Sequence, residues 1–205
     1  GADVWSGYYA CDWDTFSEYY EPNVSAGTRH FLYVGRYIQR KGLDTLIKAY
    51  QIYRDRVTHP WELVCIGAGE LEHILSDTDG VVNRGFVQPV KLPEMMSEAT
   101  AFILPSRKEP WGVVVQEAAA TGLPLICSDA CGAAVHLLID GYNGYKFETG
   151  DYKHLADRME QMSANTDDTL TKMRKRSYEL SKPYTPKIWA QTLYDGINSI
   201  LNKSE

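Results

Sequence analysis

Three things are scarce in this 205-residue chain, and each scarcity removes a class of function. No apolar run in the sequence is long enough to span a bilayer, and no signal-peptide pattern is present in it. Basic residues are not in excess: 21 Lys and Arg against 27 Asp and Glu leave a net charge of −6. Broad nucleic-acid binding, which needs a basic face, is therefore disfavoured, and any anion site must be locally positive within an acidic protein. Disulfide-type spacing is missing too. Cys11, Cys65, Cys127 and Cys131 form no CxxC pair, so reduced thiols and a cytosolic setting are expected, with Cys65 a small core residue. Cys127, Cys131 and the nearby His136 lack a second ligand cluster, and no metal site is predicted there.

What is present is ordinary for a globular domain or a domain and a half, with 44% hydrophobic and 23% charged residues. The chain opens on Gly1 without an initiator methionine and reads as a piece of a longer protein. The run Arg174-Lys175-Arg176 reads as a solvated helix face.

From His30 onward short apolar runs alternate with helical patterns. Strands are expected at 30–35, 61–67, 81–85, 101–105, 123–128 and, more weakly patterned, 144–147. Between the first two, Leu43, Leu46, Ile47, Tyr50, Tyr53 and Val57 recur at helical spacing, with Asp44 near the start and Arg54 and Arg56 near the end to suit the helix dipole. Further helices are expected at 71–76, 92–99, 112–121, 133–139, 151–162, 167–180 and 186–201, the last opened by Pro186 at a position where a missing N–H costs nothing. Strands alternating with helices predict an α/β fold: a Rossmann-like parallel sheet covered by helices on both faces. In such sheets ligands bind beyond the carboxyl ends of the strands. Five loops converge there: Gly35-Arg36, Gly67-Ala68-Gly69, Gly85-Phe86-Val87, residues 106–111 and residues 129–133. Residues 1–27 break the rhythm and read as a connector, residues 28–185 as the sheet domain, and residues 186–205 as a terminal helix and tail.

The chemistry concentrates in two of these loops. Arg36 and Lys41, at a strand-to-helix turn, are suited to a diphosphate; charge-assisted hydrogen bonds contribute about 1.5–3 kcal/mol each. A helix opening near Gly112 adds free N–H groups at Trp111, Gly112 and Val113, worth only about 0.3–1 kcal/mol each when exposed, so the cations dominate and the helix orients. Glu109 and Glu117 bracket seven residues. If both stood on one helix their Cα atoms would lie about 12 Å apart. Glycosidase pairs need carboxyl groups about 5–9.5 Å apart, so the spacing better suits two ends of an extended ligand: Glu117 at a ribose diol, Glu109 near a sugar. Gly67 and Gly69 let a ligand approach the backbone, but position 72 is Glu and no GxGxxG dinucleotide motif is complete. Asp12-Trp13-Asp14 matches a DxD metal signature yet lies in the connector, and the scattered histidines form no nucleophilic constellation.

Gly35-Arg36 with Lys41-Gly42, Pro105-Ser106, Glu109-Pro110-Trp111-Gly112 through Glu117-Ala118, Gly122-Leu123-Pro124, residues 140–144 and Gly150-Asp151 together resemble the family 4 retaining glycosyltransferases. The resemblance covers roughly residues 28–201. It implies that the sheet domain is the C-terminal, donor-binding half of a GT-B fold. It also implies that Arg36 and Lys41 bind diphosphate and that the EX7E glutamates are Glu109, at the donor sugar, and Glu117, at the ribose. Gly112 and Val113 would then meet phosphate through their backbone, and Phe86 and Val87 would hold the base. Pro110-Trp111 replaces the commoner Gly-Phe and would reshape the sugar pocket. By the same resemblance residues 1–27 link to a missing N-terminal acceptor domain, and the last helix, with Trp189, crosses back to it.

The expected function is therefore metal-independent, retaining transfer of a hexose from a nucleotide-diphosphate sugar, most readily a UDP- or GDP-sugar, with no resident cofactor. The acceptor is a glycan or lipid-linked acceptor, the setting polysaccharide biosynthesis, and the fragment alone is expected to be inactive. A cytoplasmic location at the inner face of the membrane, with peripheral association of the full-length protein, fits the analogy. A sugar-nucleotide epimerase of the same fold and a non-catalytic nucleotide-sugar binding module are the alternatives.

Overall fold

In the computed structural model, residues 8–24, 27–76 and 78–202 are described. Six strands form one parallel sheet: β1 (His30–Val34), β2 (Glu62–Ile66), β3 (Val81–Asn83), β4 (Ala101–Leu104), β5 (Leu125–Ser128) and β6 (Gly144–Phe147), in the order β3-β2-β1-β4-β5-β6. Phe31 lies opposite both Leu63 and Ala101, which sets β1 between β2 and β4. All four residues of β4 and of β5 are buried. Near-continuous apolar strands are what a parallel sheet covered on both faces requires.

The helices are α1 (Trp13–Ser17), α2 (Leu43–Arg56), α3 (His73–Ser76), α4 (Leu92–Glu98), α5 (Val113–Ala120), α6 (Ala134–Leu137), α7 (Tyr152–Ser163), α8 (Asp167–Ser181) and α9 (Pro186–Leu201). The crossovers from β1 through α2 to β2 and from β4 through α5 to β5 run in opposite directions along the sheet. Right-handed connections therefore place the two helices on opposite faces. α2 packs on α7 over one face, and α5 packs on α8 and α1 over the other. Every expected strand and helix is present, with ends that differ by at most two residues. Residues 71–76 and 133–139 shrink to the single turns of α3 and α6, flanked by hydrogen-bonded turns such as Glu72 N–H to Gly69 O (3.1 Å). No helix among the described residues is long and apolar enough to cross a membrane.

The basic run on α8 is not a solvated face. Arg174 is fully buried and donates to the carbonyls of Glu21 (2.8 Å) and Ala99 (3.2 Å). Arg176 donates to the Tyr142 carbonyl (2.9 Å) and lies over its ring, leaving only Lys175 exposed. Arg174 was misread because its partners sit far away in sequence; it ties the segment before the sheet to the entry of β4. Several motif residues are likewise scaffold. Asn143 donates to the Leu137 carbonyl (2.8 Å) and Ser177 Oγ (3.0 Å), and Asp151 caps α7 by accepting from Lys153 and His154 N–H groups.

The strand order changes direction between β1 and β4, and the chain leaves their carboxyl ends towards opposite faces. The loops from these ends touch at Gly42, which has φ +72 and whose Cβ, if added, would lie 1.9 Å from the Pro105 carbonyl oxygen. Gly42→Ala therefore meets both a left-handed backbone and a main-chain clash. It is expected to lower unfolding free energy by about 2 kcal/mol or more in urea denaturation; a change below about 0.5 kcal/mol would show that the two loops are not in this contact.

Candidate functional site

The loops at the carboxyl ends of the strands form one hydrogen-bonded rim. Gly67 N–H donates to the Gly85 carbonyl (2.9 Å), Gly35 N–H to Ile66 (3.0 Å), Tyr37 N–H to Ala68 (2.9 Å), Arg107 N–H to Arg40 (2.9 Å) and Glu109 N–H to Ala130 (3.3 Å). The five loops singled out in the sequence thus follow one another along the same sheet edge. Gly67 and Gly69 have a structural reason of their own. A Cβ at Gly67 would lie 1.9 Å from the Gly35 carbonyl oxygen and one at Gly69 2.5 Å from that of Tyr37, so the β2 loop is pressed against the β1 loop.

At the centre of the rim Lys41 Nζ and Glu109 Oε2 form an ion pair, with side chains only 15% and 12% exposed. Lys41 is delivered by a 3-10 turn (Gln39–Lys41) that closes β1's loop onto α2. Glu109 is held in main-chain register: it bridges to Cys131, and its carbonyl accepts from Gly132 N–H (3.0 Å). Ser106 Oγ lies 3.4 Å from the same carboxylate oxygen, and Ser128 Oγ–H fixes the Ser106 carbonyl (2.6 Å). Glu109 is thus not on α5, which begins at Val113 after Gly112 as its N-cap, and the helical spacing between the two glutamates does not apply. No side chain caps α5, so its first N–H groups are left to solvent or to a ligand. A cleft of about 380 Å³ opens beside Glu109, lined by Lys108, Pro110, Asp129, Cys131 and Gly132 among others.

Arg36 is anchored through its backbone, whose carbonyl accepts from Tyr33 Oη–H (2.9 Å), while its side chain is exposed and pairs with none of the described residues. Phe86 is 69% exposed at the β3 end of the rim and Val87 packs against the core beside it. Trp111 turns away from the rim. Its ring stacks on Tyr8 (5.6 Å, 19°) beside His136 and Tyr184, its Nε1–H is buried without a partner among the described residues, and its carbonyl accepts from Ala133 N–H (2.7 Å). Val113 is partly exposed at the helix start. Among the described residues no group of three or more His, Cys, Asp or Glu is placed to hold a metal ion. Asp12 accepts from Thr15 Oγ–H (2.7 Å), and Trp13, between the two aspartates of the DxD stretch, donates to Ser181 Oγ (2.9 Å).

Sequence reasoning missed the residues that support this site. Ser106 and Cys131 flank Glu109, Arg107 reaches the first turn of α2, and the segment before α1 lies along α5. There the Gln116 side chain donates to the Tyr9 carbonyl, and burial, with a smaller contribution from the nearby Glu117, raises the Cys11 thiol. Only Ser106, within Pro105-Ser106, carried a local signal.

Glu117 has no side-chain hydrogen bond among the described residues, and burial pushes its carboxyl up to about 7. Its folded-state value thus lies above its unfolded one, so the folded chain retains a proton that the unfolded chain releases, and stability falls as pH rises from about 4.5 to about 7. Glu117→Gln is expected to flatten that dependence, gaining on the order of 1–3 kcal/mol relative to wild type at pH 7.5 but little at pH 4.5. Denaturation midpoints at the two pH values check it, and parallel pH profiles for the two proteins would refute it.

Residues 20–180 match the family described as glycosyl transferases group 1. The chain is 27% identical over 184 residues to the capsular polysaccharide biosynthesis glycosyltransferase CapM of Staphylococcus aureus, an alignment covering 84% of this chain and 47% of that protein. In structure it is similar to sucrose-phosphate synthase from Thermosynechococcus elongatus (TM-score 0.80, 21% identity, 95% of this chain and 52% of that one). It is also similar to Anabaena HepE in complex with UDP (TM-score 0.78, 18% identity, 94% and 57%). The chain therefore spans about half the length of these relatives. At such identities the solved structures speak for the fold, the Rossmann-like sheet of GT-B glycosyltransferases. With three quarters or more of its length inside the family match, from the turn after α1 to the end of α8, this chain belongs to the glycosyl transferases group 1 family.

Proposed function

We propose that the chain is the C-terminal, donor-binding domain of a retaining, metal-independent glycosyltransferase. It would act in polysaccharide biosynthesis, moving a hexose from a nucleotide-diphosphate sugar to a glycan or lipid-linked acceptor. The observation that carries this reading is the Lys41–Glu109 pair at the switch point of the sheet, with the uncommitted guanidinium of Arg36 on the same loop. Crevices at such switch points are where α/β sheets hold nucleotides. UDP in the Anabaena relative and the capsular role in CapM's name support the same class of substrate and pathway.

The division of labour follows from charge. When the glycosidic bond to the donor phosphate breaks, negative charge develops on the diphosphate. Arg36, Lys41 and the N-terminus of α5 at Gly112 and Val113 lie where a preorganised positive field would stabilise it. Those cations supply the charge that a divalent ion supplies in other transferases. Glu109, fixed by Lys41 and the β5 loop, presents a carboxylate to the sugar hydroxyls beside the cleft at Pro110. Glu117, half-buried and without a side-chain hydrogen bond among the described residues, is suited to accept from the ribose diol, and exposed Phe86 with Val87 offers an apolar surface for the base. With no protein nucleophile assigned, attack on the same face as the departing phosphate gives retention.

In this reading residues 1–27 and 186–205 connect to an acceptor domain and the chain alone does not transfer sugar. The apolar face of α9 supports that arrangement, since Ile188, Trp189, Leu193, Tyr194 and Ile197 are all exposed.

Arg36→Ala and Lys41→Ala are each expected to weaken nucleoside-diphosphate binding by about tenfold or more, consistent with roughly 1.5–3 kcal/mol per charge-assisted contact. Isothermal calorimetry with UDP and GDP measures this. Unchanged affinity in both variants would remove the assignment.

A further inference from the structure

A cation that lines the cleft beside Glu109 is given no donor contact above, because its own polar contacts run to the β1 loop and α2. Arg107 leaves β4's loop two residues before Glu109. Its N–H donates to the Arg40 carbonyl (2.9 Å), and its guanidinium reaches the first turn of α2, donating to Asp44 Oδ2 (2.6 Å) and Thr45 Oγ1 (3.3 Å). Arg107 is the partner of Oδ2, while Asp44 Oδ1 is buried without one among the described residues. Asp44 stands three residues after Lys41. The two ion pairs, Lys41–Glu109 and Asp44–Arg107, therefore join the same two segments on either side of the point where Gly42 meets the Pro105 carbonyl.

This arrangement has a consequence for Lys41. The 3-10 turn that carries it is three residues long, with Gly42 in the left-handed region as its hinge to α2. A turn that short is oriented by what holds its ends. The Arg107 backbone holds the turn at Arg40, and the Arg107 side chain holds α2 at Asp44. Without the guanidinium, Asp44 would become an unpaired carboxylate one helical turn from Lys41, competing with the diphosphate for that ammonium. As a partly exposed pair, Arg107–Asp44 contributes at most about 1 kcal/mol to stability, so its principal effect falls on geometry and local charge.

We propose that Arg107 is a positioning residue of the donor site: by clasping Asp44 it sets how Lys41 is presented to the diphosphate, without itself touching the donor. This rests on the donor-site reading above. It assigns Asp44 a role as the clasp's other half and makes the start of α2 part of the site's supporting shell.

The test is a double-mutant cycle on the full chain, with UDP and GDP as calorimetric probes, Lys41→Ala as reference and unfolding midpoints measured in parallel. Arg107→Met and Asp44→Asn are each expected to weaken binding about tenfold, and the double variant no further than the weaker single, because the two changes break one clasp. The reversed pair, Arg107→Asp with Asp44→Arg, is expected to recover much of the affinity, while the midpoints of all variants stay near wild type. Wild-type affinity in Asp44→Asn beside a weakened Arg107→Met would overturn the proposal and place Arg107 on the donor. Additive losses, or losses that follow falling midpoints, would overturn it as well. If Lys41→Ala weakens binding while both clasp variants bind normally, the positioning role fails and the donor reading stands. If Lys41→Ala binds normally, Lys41 does not hold the diphosphate and the positioning role fails with it; if Arg36→Ala binds normally as well, the donor reading itself fails.

Discussion

Where β1 and β4 lie side by side the chain departs in opposite directions, and the seam between the two departing loops is closed by the Lys41–Glu109 ion pair. Much of the site refers to that seam. Gly42 lets the backbones touch, Ser106 and Ser128 fix the loop carrying the carboxylate, and the β5 loop holds Glu109 in register through Ala130 and Gly132. A parallel sheet needs no specific side chain at this place to be stable, because its core is the continuous apolar run of β1, β4 and β5. Polar order at the seam is therefore free to serve ligand recognition, while the strands beneath it supply rigidity.

The electrostatics of the molecule reinforce this separation. The chain as a whole is acidic, at −6, so its net field opposes an approaching anion, and cations outweigh that field only where geometry concentrates them. Arg36, Arg40, Lys41 and Arg107 are brought together by one turn and one loop. Two of the four are committed to carboxylates, Lys41 to Glu109 and Arg107 to Asp44, while Arg36 has no such partner. Under the proposed function an anionic ligand would meet cations already partly neutralised, which limits the repulsion among like charges before it binds. At physiological ionic strength charges separated by more than about 8 Å are largely screened, so these local pairings outweigh the distant acidic surface.

The legible portion of the site consists of what is local in the chain. Arg36 and Lys41 stand on one loop, and Glu109 with Gly112 on another, so the roles proposed for them rest on residue type, turn position and a motif resemblance. Trp111 shows the limit. Its backbone lies at the start of α5 as anticipated, yet its ring faces Tyr8 and Tyr184, from segments near the two ends of the chain. Arg174 shows it more sharply. In a run of three basic residues it looked solvated, but burial against the carbonyls of Glu21 and Ala99 replaces its water with fixed acceptors.

By itself the sequence determined the alternation of strands and helices, the parallel sheet and the five loops at its carboxyl edge. Periodicity and turn chemistry act over a few residues and survive whatever the rest of the chain does. Only the tertiary structure decided which charges meet. Lys41 with Glu109, Asp44 with Arg107, and Gln116 with Tyr9 are separated by 68, 63 and 107 positions, and they become neighbours only through the strand order and the handedness of the crossovers. A hydrogen bond across that distance depends on the whole topology, and no local pattern encodes it.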